Sequence, residues 1–475
     1  MRPTLPDPIH SQCGRTNTRM PMNRSPTSVL MVAYGGGHIA MVLPVIRALR
    51  ARVPGARIDL LALTTAKRAA LEAGETPLGY ADLMHLLSPA ERRQALALGR
   101  TLQEGNGHPD IPEAETLAYL GINALDLYQR LGPDAAQEVL AKKGRHGFYP
   151  IGFLRRVIDH LQPDLVIATN APRSEQAALD AAGDAGIPTL AMLDLFGISA
   201  APVAGQLVSR ALRLPTPSSG SASFFADTFA SRTRRPSRVC VLAGAVRENL
   251  VASGWPREMI AITGNPAFDV LFDPVTRDAA IALRKRLGWE NKKIVLLAAQ
   301  PEPRGNPASH WPSGDALAQA MESQLRVWVT TRADAALIVR HHPNHWHRYP
   351  RLPDTTQVHF SVPGDEAIDP LILASNCVVV QTTTVGLQAA TVGIPVLAMQ
   401  CSPGALSAFS YADLGVAQGV PDVPDLPAAL DFALDHPSPA TAWARKSRAA
   451  EAVAREALAL IAPRSRDAIE SARDQ

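Results

Sequence analysis

Cysteine is scarce in this sequence: four residues in 475, at positions 13, 240, 377 and 401, with no CxxC pair among them. That spacing argues against a disulfide framework or a cysteine zinc site and fits buried thiols in a reducing compartment. Cys240 and Cys377 lie in the apolar runs Val239-Cys240-Val241 and Asn376-Cys377-Val378 and read as core. Net charge is almost absent as well, at +3, so nothing calls for nucleic acid or an anionic membrane as partner. No apolar run reaches the ~20 residues of a membrane span. Residues 1–27 are rich in Pro, Arg, Asn and Thr and lack the apolar segment of a signal peptide. They are expected to be a disordered tail, or upstream sequence if translation starts at Met20 or Met22, and the protein is expected in the cytoplasm. Two signatures are missing too. There is no complete GxGxxG fingerprint, and no GxSxG elbow for a nucleophilic serine.

What is present is ordinary globular material, 46% hydrophobic and 19% charged, in a length that suits two core domains. Ser28–Tyr34 reads as a buried parallel strand, followed by Gly35-Gly36-Gly37-His38 and an apolar pattern at Val42, Ile46 and Leu49 with helical spacing. Pro44 either opens that helix or kinks it. Strand, glycine turn and helix make the first βα unit of a doubly wound domain. Further strands are expected at 57–63, 163–168, 189–193 and 238–243, with a mostly helical stretch at 80–160 and a flexible surface connection at 200–237. Gly264-Asn265-Pro266 reads as the crossing between domains. A second series starts at Lys293–Ala299 and continues through Ala335–Arg340, Cys377–Val380 and Ile394–Met399, with an Ala- and Arg-rich helix at 440–461. The expected fold class is α/β, with two Rossmann-like doubly wound domains facing a cleft. They are bounded at 28–264 and 265–440, and 441–475 forms a last helix and tail.

In open α/β sheets ligands bind beyond the carboxyl ends of the strands, and several such ends here carry polar residues or glycine. Gln381-Thr382-Thr383-Thr384 joins a strand to a helix start, where free amides and the helix dipole favour an anion. The threonine hydroxyls can donate to phosphate oxygens or simply cap the helix. Gly386 permits close backbone approach. His342-Pro343 ends a neighbouring strand, with a histidine donor and a fixed turn. Together these point to a phosphate or diphosphate site. The run from His341 to His347 offers no carboxylate or cysteine, so a metal is not expected there. In the first half, Gly36, Gly37 and His38 let a substrate approach the backbone, or merely form a tight turn. Thr169-Asn170 and Arg173 lie at another strand end and can orient a ligand. Asp194 ends an apolar strand among Leu193, Leu195 and Phe196, where it is a helix cap or a functional carboxylate with raised pKa.

Tyr34–Pro44, Asn249–Asp269, Val339–Asn344 and Gln381–Met399, in this order and spacing, resemble the GT-B superfamily. The resemblance is to the branch holding UDP-N-acetylglucosamine 2-epimerases and polysaccharide glycosyltransferases, and it covers roughly 28–460. It implies a nucleotide-sugar site in the C-terminal domain, acceptor binding in the N-terminal domain and a last helix that returns to the first domain. Its His-Pro and Ser/Thr motifs carry over to His342, Pro343, Thr383 and Thr384. Departures from the epimerase pattern are plain. Thr169-Asn170-Ala171 stands where a Gly-Asp-Thr turn is expected, Ala299–Arg304 where a Thr-His-Arg-type segment is expected, and Gln388 or Ala389 where a ribose-holding glutamate is expected. Glycosyl transfer is therefore the expected activity, with no cofactor beyond a UDP- or CMP-linked sugar substrate. Epimerisation with hydrolysis and non-catalytic nucleotide-sugar binding are the alternatives. The expected partners are the sugar donor and a glycan or lipid-linked acceptor, with a homodimer compatible. Asp194 is the expected general base and His38 its alternative.

Overall fold

Short apolar runs ending in polar or glycine turns become the strands of two parallel sheets, because only strands covered on both faces are apolar throughout. The computed structural model describes residues 27–169, 173–194, 234–407, 410–436, 443–444 and 448–471. The expected tail, nearly all of the 200–237 connection and Asn170 lie outside those residues.

The first sheet contains β1 (Ser28–Ala33), β2 (Arg57–Ala62), β3 (Leu165–Thr169), β4 (Thr189–Met192), β5 (Arg238–Val241) and β6 (Ile260–Ile262) in the order β2-β1-β3-β4-β5-β6. Met31 of β1 lies beside Leu60 on one side and Ile167 on the other, which fixes the register at the centre. Helices α1 (Gly37–Arg52) and α2 (Ala66–Glu72) follow β1 and β2. Between β2 and β3 lies an all-helical insertion: α3 (Pro89–Leu102), α4 (Glu113–Leu131), α5 (Pro133–Lys143) and α6 (Ile151–Leu161). The first half is completed by α7 (Ser174–Asp184) after β3 and α8 (Gly244–Ala252) after β5. Pro44 opens nothing; it sits inside α1, which continues on both sides of it. Before the Gly264-Asn265-Pro266 turn the chain adds a sixth strand, β6, whose three residues are too few for a period-2 pattern to show.

After α9 (Pro274–Leu287), the second sheet contains β7 (Lys293–Ala299), β8 (Ala335–His341), β9 (Val358–Phe360), β10 (Cys377–Val380), β11 (Val396–Met399) and β12 (Gln418–Val420), in the order β12-β11-β10-β7-β8-β9. Its helices are α10 (Ala316–Thr330), α11 (Ile368–Ala374), α12 (Val385–Thr391), α13 (Pro403–Ser407) and α14 (Leu426–Asp435). The last helix, α15, runs from Ala449 to Ser471, later than the 440–461 read from composition. Its Ala450, Val453, Ala454, Ala457 and Ile461 pack into one apolar cluster with β1, β3 and α1 of the first half. The buried carboxylate of Asp269, just after the Asn265-Pro266 turn, accepts the amides of Ala449 (2.6 Å) and Ala450 (2.8 Å). One carboxylate thus caps the helix that returns to the first half. Among the described residues no helix is long and apolar enough to cross a membrane.

Strand order places the two sites. In the first sheet the chain leaves β1 toward β2 and then switches to β3 on the other side. In the second it runs β7, β8, β9 and then switches to β10. Such switch points open a crevice at the strand ends.

Candidate functional site

At the switch point of the second sheet, the ends of β7, β8 and β10 enclose a cavity of about 400 Å3. Its polar wall consists of Gln300, Arg340, His341, His342, the three threonines 382–384 and Gln388, and among the described residues no carboxylate lines it. His342 accepts the Asn344 amide at Nδ1 (3.2 Å), so its neutral ring carries the proton on Nε2 as a donor. Burial, with His345 adding to it, holds the His342 pKa below the ordinary histidine value. Arg340 is buried with one guanidinium nitrogen donating to Ser361 (2.8 Å), and burial draws its pKa down. The guanidinium still stays charged near neutral pH.

Thr384 occupies the N-cap position of α12 and makes no side-chain cap bond. The loop is held from below. Gln300 Nε2 donates to Thr382 Oγ1 (2.8 Å), Gln381 exchanges bonds with the Gln300 backbone, and the Tyr411 hydroxyl donates to the Thr383 carbonyl (2.9 Å). Beneath them, buried Glu302 accepts from Gln381 (3.0 Å), Ser402 (2.7 Å) and the Gly404 amide (2.8 Å). The sequence showed Glu302 only as a departure from a motif; its role as an anchor depends on residues some hundred positions away. Gly386 is also tightly packed. A Cβ there would meet the Tyr411 ring at 3.0 Å and Val380 at 3.1 Å, so packing against Tyr411 is a second reason for glycine at this position. Of the two positions considered for a ribose contact, Gln388 lines the cavity and Ala389 is buried. His341 is fully buried, stacked on Tyr349 and paired with Glu322 (3.0 Å).

The first sheet gathers a second group of residues at its own switch point. His38, in the first turn of α1, turns Nδ1 to the Thr169 hydroxyl and to Glu175 Oε1 (3.2 Å). Thr169 donates to Glu175 Oε2 (2.5 Å) and the Tyr34 amide donates to Oε1 (3.0 Å), so the fully buried carboxylate is fixed from several directions. Burial opposes protonation of His38, but Glu175, with Asp194 beyond it, outweighs burial and raises its pKa above the ordinary value. With Nδ1 committed, Nε2 is the nitrogen left to take a proton. Asp194 lies beside this group, its Oδ2 3.6 Å from where a Cβ on Gly37 would stand. Gly36 has φ +68 and its added Cβ would meet nothing; it is a turn residue. Glu175 escaped the sequence reading because an acid in the first turn of a helix is common for the dipole alone.

No protein-family model and no curated protein matches the sequence. Solved structures do match the fold. The UDP-GlcNAc 2-epimerase of Neisseria meningitidis bound to UDP-GlcNAc superposes with a TM-score of 0.53 at 13% identity, over 92% of this chain and 100% of that one. The enzyme of that name from Methanocaldococcus jannaschii gives 0.54 at 11% identity, over 90% and 99%. The S. aureus MnaA–UDP structure gives 0.51 at 13%, over 90% and 94%. The fold is that of the UDP-GlcNAc 2-epimerases, a GT-B architecture. At such identities the likeness shows the fold alone and leaves the chemistry to this chain's own residues.

Proposed function

We propose that this chain is a glycosyltransferase using a nucleoside-diphosphate sugar, with UDP as the favoured nucleotide. The observation that carries the reading is the cavity at the β7/β8/β10 ends, whose polar lining supplies donors and a cation and, among the described residues, no carboxylate. Such a lining suits a diphosphate. The solved structures with UDP-GlcNAc or UDP bound share this fold and favour uridine. His342, Thr382, Thr383 and Thr384 hold the donor phosphates, Arg340 offsets their charge, and Gln388 lies within reach of the remainder of the nucleotide.

On the N-terminal side, His38 acts as base, oriented by Glu175. An acceptor hydroxyl oxygen attacks the anomeric carbon and the bond from that carbon to the phosphate oxygen breaks. The hydroxyl proton passes to His38 Nε2, and the nucleoside diphosphate leaves with the bonding electron pair. Positioned donors at the phosphate stabilise the charge that develops there. This assignment moves the base from Asp194 to His38, because a histidine backed by a buried carboxylate is the better poised group. Asp194 then tunes His38.

A second reading, 2-epimerisation, is favoured by the solved structures of that name. Incubation with UDP-GlcNAc and UDP-glucose, with and without sugar acceptors, separates the two. Transfer yields UDP in step with glycosylated acceptor and continues in the presence of a chelator. Free N-acetylmannosamine formed at a catalytic rate sinks the transfer reading.

A further inference from the structure

Arg340 is buried at the wall of the β7/β8/β10 cavity, and a desolvated guanidinium needs both an anchor and a balancing charge. Strand pairing supplies the anchor. Ile338 of β8 lies beside His359 of β9, so two residues on, Arg340 and Ser361 fall on the same face of the sheet. One guanidinium nitrogen donates to the buried Ser361 hydroxyl (2.8 Å), and among the described residues that is the guanidinium's one hydrogen bond. Arg340 forms no ion pair among those residues either; Glu366 acts on its charge from further off. The Ser361 hydroxyl donates to Glu366, which also pairs with Arg286 and with His359 Nε2 (3.0 Å). Asp354 stands 3.5 Å from the other His359 nitrogen. Hydrogen bonds from His359, Ser361 and Arg286 hold the Glu366 carboxyl down at about 2, so it is charged throughout the neutral range. A carboxylate is thus kept one hydroxyl behind a cation that faces the cavity.

We propose that Ser361 is the positioning residue of the phosphate-binding arginine, and that Glu366, held behind it, sets how tightly the phosphates are gripped. Ser361 accepts from Arg340 and donates to Glu366, so it aims the guanidinium and keeps the carboxylate from closing on it. A direct arginine–carboxylate pair would occupy the fork of N–H groups that a diphosphate needs. With no carboxylate nearby, the buried cation would stand unbalanced before the nucleotide arrives and hold it too firmly afterwards. At one hydroxyl's remove, Glu366 leaves the fork free and loosens the grip enough for the nucleoside diphosphate to depart after transfer. The inference rests on the cavity being the phosphate site of the transfer reading. Its own observations lie at the β8/β9 edge of the second sheet.

The test is calorimetric titration of the full chain with UDP, uridine and inorganic pyrophosphate. Ser361→Ala should weaken UDP and pyrophosphate about tenfold and leave uridine unchanged. In an Arg340→Gln background the same change should have no further effect, because Ser361 acts through Arg340. A merely structural role would persist there and would weaken uridine too. Glu366→Gln keeps an acceptor for Ser361 and loses the charge, so UDP should bind about threefold or more tighter. Unchanged UDP affinity in Ser361→Ala overturns the proposal, as does a loss that persists without Arg340, or a Glu366→Gln variant that binds UDP no tighter than wild type. If Ser361→Ala does not fold, Glu366→Gln decides alone, since that position is partly exposed. If pyrophosphate binds with this dependence and UDP does not bind, the nucleotide reading falls and this one stands. If UDP binds and Ser361→Ala has no effect, this one falls and the donor reading stands. Binding of neither removes both.

Discussion

His38 Nδ1 and Glu175 Oε1 stand 3.2 Å apart, with the carboxylate fully buried and the imidazole partly open. Two strand ends and two helix starts meet to make that pair, and it sets the acid limb of the reaction. Glu175 is what holds the His38 pKa above its usual value against burial. In Glu175→Gln the pKa should fall, so the limb of the pH–rate profile that reports the free base should move to lower pH. The maximal rate should fall about 10²–10⁴-fold if the orientation of the base is also lost. A pH–rate profile together with titration of the His38 ring proton checks both. An unmoved limb removes His38 as base.

Nucleotide binding should also take up a proton. His342 starts with a depressed pKa, so it is neutral near pH 7, and a diphosphate beside it favours the charged ring, whose second proton goes to Nδ1 at the expense of the bond accepted from the Asn344 amide. Near pH 6 the heat of UDP binding should depend on the ionisation enthalpy of the buffer. In His342→Ala the uptake should shrink by the share that the imidazole carried, while the titration of UDP itself remains as background. Identical uptake in wild type and variant would place the phosphates elsewhere.

Asp269 ties the domain crossing to the last helix through the amides of Ala449 and Ala450. Loss of such a cap costs about 0.5–2 kcal/mol. Asp269→Ala should therefore lower stability by that amount and speed hydrogen exchange at the start of α15, since that helix packs into the first-half cluster. Exchange that rises evenly over the whole chain, without a lead at 449–452, would show the cap to be unimportant.

Gly386→Ala should destabilise the chain by about 1–3 kcal/mol, the usual cost of overpacking, because the methyl would press on Tyr411 and Val380. Tyr411 also supports the Thr382 and Thr383 carbonyls, so UDP affinity should weaken along with stability. Denaturant melts and a UDP titration of the same variant check the coupling. A stable variant with weakened affinity would return Gly386 to a ligand-facing role.

The sheets were the legible part of this sequence. Lys293–Ala299 and Cys377–Val380 are continuous apolar runs between turns, and the chain forms them with those bounds. Three-residue β6 and β12 were not legible, because they borrow their pairing from a sheet already formed. Of the site, the loops at strand ends could be read because switch-point geometry is general. Their supports could not. Glu175 and Glu302 acquire meaning only when distant segments meet, and nothing local marks a buried carboxylate that will find three donors. Gly386 shows a packing role that the sequence hid. The glycine beside a phosphate motif suggests ligand approach, and the tyrosine ring packed against it lies 25 residues downstream in a segment with no motif of its own.

The measurement that bears most directly on the donor site is a calorimetric titration of UDP into the full chain, the wild type beside His342→Ala and Thr383→Ala. A hydrogen bond to a charged group is worth about 1.5–3 kcal/mol, roughly ten- to a hundredfold in affinity. The expected result is saturable binding at one site in the wild type and a loss of that size in each variant, with melting unchanged. Absence of UDP binding to the wild type, or wild-type affinity in both variants, contradicts a nucleotide-sugar site at the ends of β7, β8 and β10.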